Sequence, residues 1–79
     1  MTKILIAEHN DTTSQYIAAT LRKSGYHIVA VDNCLDAWRA FSKESFDVLI
    51  VNIVMPGMDG FVLAQKALHN NPDLQVVFV

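Results

Sequence analysis

Two short apolar runs in this chain end in polar side chains that could do chemistry. Glu8 and His9 follow Lys3–Ala7 (KILIA), and Asn52 follows residues 46–51 (FDVLIV). Glu8 offers a carboxylate, a hard oxygen donor of the kind Mg2+ or Ca2+ takes. His9 offers an imidazole, which in its neutral form is a poor magnesium ligand and better suited to zinc, copper or nickel. Such a site would need further ligands near Glu8 and His9, and none is evident. Asn52 offers a carboxamide, which donates and accepts hydrogen bonds but carries no anionic oxygen.

The elements that must position these residues can be read from periodicity and breakers. Lys3–Ala7 and His27–Val31 (HIVAV) are short apolar runs with strand character, and residues 46–51 form a third. Thr12 and Gln15 have capping-box spacing for a helix over residues 12–23, with Ile17, Ala18 and Leu21 at helical intervals and Tyr16 beside them. Gly25 suits the position after the helix that needs positive φ. Asp32 to Cys34 reads as a turn, with Cys34 as a small turn or helix-start residue. A helix over residues 35–43 follows, carrying Ala37, Trp38 and Phe41 on one side. Asp59 is expected to cap a helix that runs to about residue 69 and packs through Phe61, Ala64 and Leu68. The Asn70-Asn71-Pro72-Asp73 run is a breaker, and residues 74–79 (LQVVFV) start a fourth strand.

The resulting order, β-α-β-α-β-α-β, implies right-handed βαβ units and a parallel sheet. In such sheets ligands gather at the carboxyl ends of the strands, near the switch in strand order. In a flavodoxin-like order that crevice lies between strands one and three, where Glu8, His9 and Asn52 stand. Hydrophobic residues make up 52% of the chain and charged residues 18%, which fits strands covered on both faces.

Net charge is −2, and no cluster of Lys or Arg forms a stripe, which argues against nucleic-acid binding by this segment. No apolar run reaches membrane-spanning length and no secretory leader pattern opens the chain. The single cysteine, Cys34, excludes an internal disulfide and fits a reducing compartment. A cytoplasmic location is the expectation.

Residues 52–60 (NIVMPGMDG) with the strand before them, and ILIAEHN at residues 4–10, resemble the response-regulator receiver domain. The resemblance implies a flavodoxin-like (CheY-like) three-layer αβα fold and a place in two-component phosphorelay signalling. Residues 1–79 would then form a single receiver domain, its N-terminal two-thirds. In that family two acids after the first strand and one aspartate after the third hold Mg2+, and that aspartate takes the phosphoryl group. Carried over, Glu8 matches the first acid, His9 departs from the second, and Asn52 stands at the phosphoacceptor position. Three carboxylates fall to one, so no resident cofactor is expected here, and enzymatic autophosphorylation is expected to be lost. Met55, Pro56 and Gly57 match the loop over the pocket.

The family's next features, a hydroxyl after the fourth strand and a lysine on a fifth, have no counterpart before Val79. Two readings stay open: a portion of a longer receiver, or a naturally short one that self-associates through the exposed strand at residues 74–79. Two functional readings stay open as well. One is a pseudo-receiver that binds a protein partner (a histidine kinase, a phosphotransferase or an adaptor target) without phosphorylation. The other is an ordinary receiver seen as an inactivated Asp→Asn variant. KILIAE at residues 3–8, SGY at residues 24–26, and IVMP with MDG in residues 53–60 add a likeness to stand-alone α-proteobacterial receivers of the CpdR type. Those act as adaptors in regulated proteolysis and cell-cycle control.

Overall fold

The computed structural model describes residues 1–55 and 57–79, Met58 by its backbone alone. The chain runs β1 (Lys3–Ala7), α1 (Asp11–Lys23), β2 (His27–Val31), α2 (Cys34–Lys43), β3 (Val48–Val51), β4 (Val54–Met55), β5 (Met58–Asp59), α3 (Gly60–Asn70) and β6 (Gln75–Phe78). Four strands make a parallel sheet in the order β2-β1-β3-β6. The two short strands β4 and β5 pair antiparallel as a separate hairpin.

Strand alternation sends consecutive side chains to opposite faces, and helices lie on both, although Val77 and Phe78 of the edge strand β6 stay partly exposed. Leu5, Ala7, Leu49 and Val51 face α2 and α3, meeting Ala37, Leu63, Ala64 and Ala67. Ile4, Ile6 and Ile50 face α1, meeting Ala18 with Ile17 and Leu21 beside it. Three layers result, as the strand and helix order implied. Each fully buried Leu or Ile contributes roughly 1.5–3 kcal/mol of transfer free energy. Gly25 takes φ +89° after α1, where a β-carbon would be strained.

Besides the β4–β5 hairpin, which the sequence reading did not include, three details differ from it. The cap of α1 is Asn10, not Thr12: Asn10 Oδ1 accepts from the Thr13 N–H at 2.9 Å, and the helix starts at Asp11. Gln15 donates to Asp11 Oδ2 at 2.8 Å instead of completing a box with Thr12. A local bond from outside the helix accompanies the earlier start: Glu8 Oε1 accepts the Asn10 N–H at 3.0 Å. Secondly, α3 buries Gly60, Leu63, Ala64 and Ala67, while Phe61 is half exposed against Phe78 (ring centroids 4.8 Å apart) and Leu68 is partly exposed. Thirdly, β3 begins at Val48, two residues later than read, although Phe46 remains buried as core.

The shifted cap can be measured. Asn10→Ala is expected to cost about 1 kcal/mol, a fall in Tm of about 4–8 °C for a domain of this size. Thr12→Ala, on an exposed helical position, should stay within about 0.5 kcal/mol. Equal losses from both variants in thermal melts would restore Thr12 as the cap.

Candidate functional site

Register builds the site. Ala7 pairs with Val51, so the next residues, Glu8 and Asn52, leave the sheet side by side at the carboxyl ends of β1 and β3. The ladder runs one step further: the Asn52 N–H donates to the Ala7 carbonyl at 3.0 Å, and the Glu8 N–H donates to the Val31 carbonyl at 3.1 Å. Behind them the loop closes onto α3, where the Gly60 N–H donates to the Ile53 carbonyl at 2.9 Å.

The Glu8 side chain is only 4% exposed. Asn52 Nδ2 donates to both of its oxygens, at 3.0 Å to Oε1 and 2.8 Å to Oε2. Oε1 also accepts the Asn10 N–H at 3.0 Å. The other end of the amide, Asn52 Oδ1, accepts the Val54 N–H at 2.9 Å. This orientation follows from its partners: a flipped amide would set its oxygen against a carboxylate and its NH2 against a backbone N–H. His9 sits on the rim, its side chain 46% exposed and its Nδ1 3.4 Å from Glu8 Oε1. The structure therefore brings Glu8 and Asn52 into direct contact and leaves His9 at the edge.

The surrounding loop is mixed. Met55 turns its side chain into the core between the sheet and α3. Gly57 turns at φ +83° on the surface, and Pro56 lies outside the described residues. Asp59 caps α3 as the sequence suggested, its Oδ1 accepting from the Phe61 N–H at 2.7 Å. Burial raises the Cys34 thiol pKa above its ordinary value, and the negative charge of Asp59 adds to the rise. Cys34 lines a small apolar cleft of about 260 Å³ with Trp38, Leu63 and Lys66, away from Glu8 and Asn52.

Comparison with known proteins decides the family. Residues 4–79 match the model of the response regulator receiver domain. The chain belongs to that family. This receiver is 38% identical over 79 residues to the response regulator receiver protein CpdR of Brucella abortus, covering 100% of this chain and 66% of CpdR. Among solved structures, the response regulator TrrA of Thermotoga maritima, in complex with Mg2+–BeF, superposes with a TM-score of 0.91 at 24% identity, over 99% of this chain and 68% of TrrA. A two-component response regulator of Clostridium difficile gives a TM-score of 0.93, also at 24% identity, over 99% of this chain and 64% of its own. The flavodoxin-like receiver fold is thereby established, and the receiver described here spans about two-thirds of the length of these relatives.

Mg2+ demands near-octahedral oxygen coordination. The donors present in this receiver do not fit it. Both oxygens of Glu8 already accept N–H groups, from Asn10 and from the Asn52 amide, and Asn52 turns a nitrogen, not an oxygen, toward them. Among the described residues, no group of three His, Cys, Asp or Glu side chains gathers at one point. Nor is any helix among them long and apolar enough to cross a membrane.

Two features of the site escaped the sequence reading. One is Asn10, which joins Glu8 to the start of α1; its signal was an Asn directly before an Asp at a helix start. The other is Gly60. A glycine in the first turn of a helix, where it has no propensity advantage, signals a close approach of backbone.

Proposed function

We propose that this receiver works as a pseudo-receiver, a phosphorylation-independent protein-interaction module of two-component signalling. The observation that carries the reading is Asn52, whose carboxamide ends β3 and donates to Glu8 at 2.8 and 3.0 Å. Phosphoryl transfer rests on positioning and on neutralising charge around an anionic nucleophile. Asn52 stands at the phosphoacceptor position and has no anionic oxygen to attack phosphorus. Glu8 stands at the first acidic position, His9 at the second, and Met55, Pro56 and Gly57 at the loop beside them.

What remains is a surface for protein contact. TrrA has been solved in complex with the histidine kinase ThkA, so a receiver of this fold can be engaged by a kinase. On this reading the module acts in the cytoplasm, and its partner is a histidine kinase, a phosphotransferase or an adaptor target. The test is incubation with radiolabelled acetyl phosphate and Mg2+. The reading expects no acid-stable, hydroxylamine-labile label on the protein. Label that maps to the pocket overturns it and makes the chain an ordinary receiver.

A further inference from the structure

We propose that the Asn52 carboxamide acts as a built-in substitute for a cation, clasping the buried Glu8 carboxylate so that the loops after β1 and β3 hold one arrangement without metal. The inference rests on the reading of Asn52 as a position that takes no phosphoryl group, and adds a structural role to that loss. A carboxylate 4% exposed must be compensated by hydrogen bonds or opposite charge. Among the described residues no Lys or Arg forms an ion pair with Glu8. Its partners are instead the Asn52 amide, the Asn10 N–H and, at 3.4 Å, the rim imidazole of His9.

The clasp joins distant parts of the chain. Glu8 takes the N–H of Asn10, which itself caps α1 through Thr13. Asn52 takes the N–H of Val54 at the start of the β4–β5 hairpin. One amide–carboxylate pair, 44 residues apart in sequence, thus ties the entry of α1 to the exit of β3. A divalent cation between three carboxylates would tie the same two loops; here the link is made of hydrogen bonds.

Donor and acceptor can be exchanged, which gives a sharp test. Thermal melts of the full chain are run in EDTA and in millimolar Mg2+, without phosphodonor. The unaltered protein should show the same Tm in both. Asn52→Asp sets two carboxylates face to face and should lower Tm in EDTA by about 10 °C or more, or prevent cooperative folding. Glu8→Gln/Asn52→Asp reverses the polarity of the pair: the new amide donates to the new carboxylate while its carbonyl still accepts the Asn10 N–H. This double variant should recover at least half of the lost Tm, or restore cooperative unfolding, without Mg2+. A double variant no better than Asn52→Asp overturns the clasp, as does an Asn52→Asp protein as stable as the parent. A parent Tm that rises with Mg2+ also overturns it. Failure of the phosphorylation-independent reading would appear only in the acetyl phosphate assay, so the two failures are told apart.

Discussion

Gly60→Ala is expected to destabilise this receiver by about 3 kcal/mol or more, the upper range for overpacking against atoms that cannot move aside. A β-carbon at Gly60 would collide with the Asn52 carbonyl oxygen and would lie 2.9 Å from Ile53 Cα and 3.0 Å from the Asn52 carbonyl carbon. All three are backbone, so no side-chain rotation relieves the contact. Helix propensity acts in the opposite direction, since alanine is favoured over glycine in a helix by about 1 kcal/mol. The sign of the result therefore separates the two effects. Gly25→Ala is the control: its φ of +89° is strained for alanine, but nothing lies within 4 Å of the added carbon. It should cost only about 1 kcal/mol. Urea unfolding at constant m-value measures both. A Gly60→Ala protein as stable as the parent would mean that α3 does not pack against the Asn52–Ile53 backbone as described. The site would then lack the support that sets the direction of Asn52.

That support explains why much of the fold was legible in the sequence and some of it was not. Strands one to three and their helices follow from alternation and helical spacing, because each buried run meets apolar partners on both sides. The face of α3 could not be read that way. Phe61, Ala64 and Leu68 form a plausible stripe by spacing, yet the close approach at Gly60 rotates the helix so that Leu63, Ala64 and Ala67 go inward. Phe61 is left to meet Phe78, their rings tilted, at the edge of the sheet. The start of α1 was misplaced for a similar reason. Thr12 has local capping chemistry, but Asn10 has the same chemistry and is also held by Glu8 from outside the helix. The β4–β5 hairpin has strands of two residues each, too short for any periodicity to register.

Within the site, the sequence placed Glu8 and Asn52 together because a flavodoxin-like strand order, which the receiver resemblance implies, makes the ends of β1 and β3 neighbours. It set His9 below Glu8 on chemistry alone, since a neutral imidazole is a poor magnesium ligand. The structure separates them, because strand alternation and the turn to Asn10 bury one and expose the other. The residue type at position 52 also implied that no anionic oxygen is available there. It did not show what the amide does instead. That depends on which end faces Glu8, and the answer lies in the Val54 N–H two residues further along.

His9→Asp/Asn52→Asp, measured on the full-length protein, is expected to gain Mg2+ binding that the parent lacks. The parent presents one carboxylate, already held by N–H donors; the double variant presents three, and Mg2+ selects for oxygen ligands with negative charge. Asn52→Asp alone supplies two, with an imidazole on the rim that magnesium takes poorly. The double variant should therefore bind Mg2+ about tenfold or more tightly than the single one, a difference of ~1.4 kcal/mol for one added carboxylate. Calorimetric titration reads the affinity, and acetyl phosphate labelling reads whether the introduced aspartate is also a nucleophile. The order of the variants matters more than any single value. If Asn52→Asp equals the double variant, His9 has no part in the pocket and one substitution separates this protein from an ordinary receiver. A folded double variant that binds no Mg2+ would instead mean that the loops after β1 and β3 have settled into a geometry no longer suited to a cation. In that case side-chain substitution at residues 9 and 52 is not enough to make a cation site.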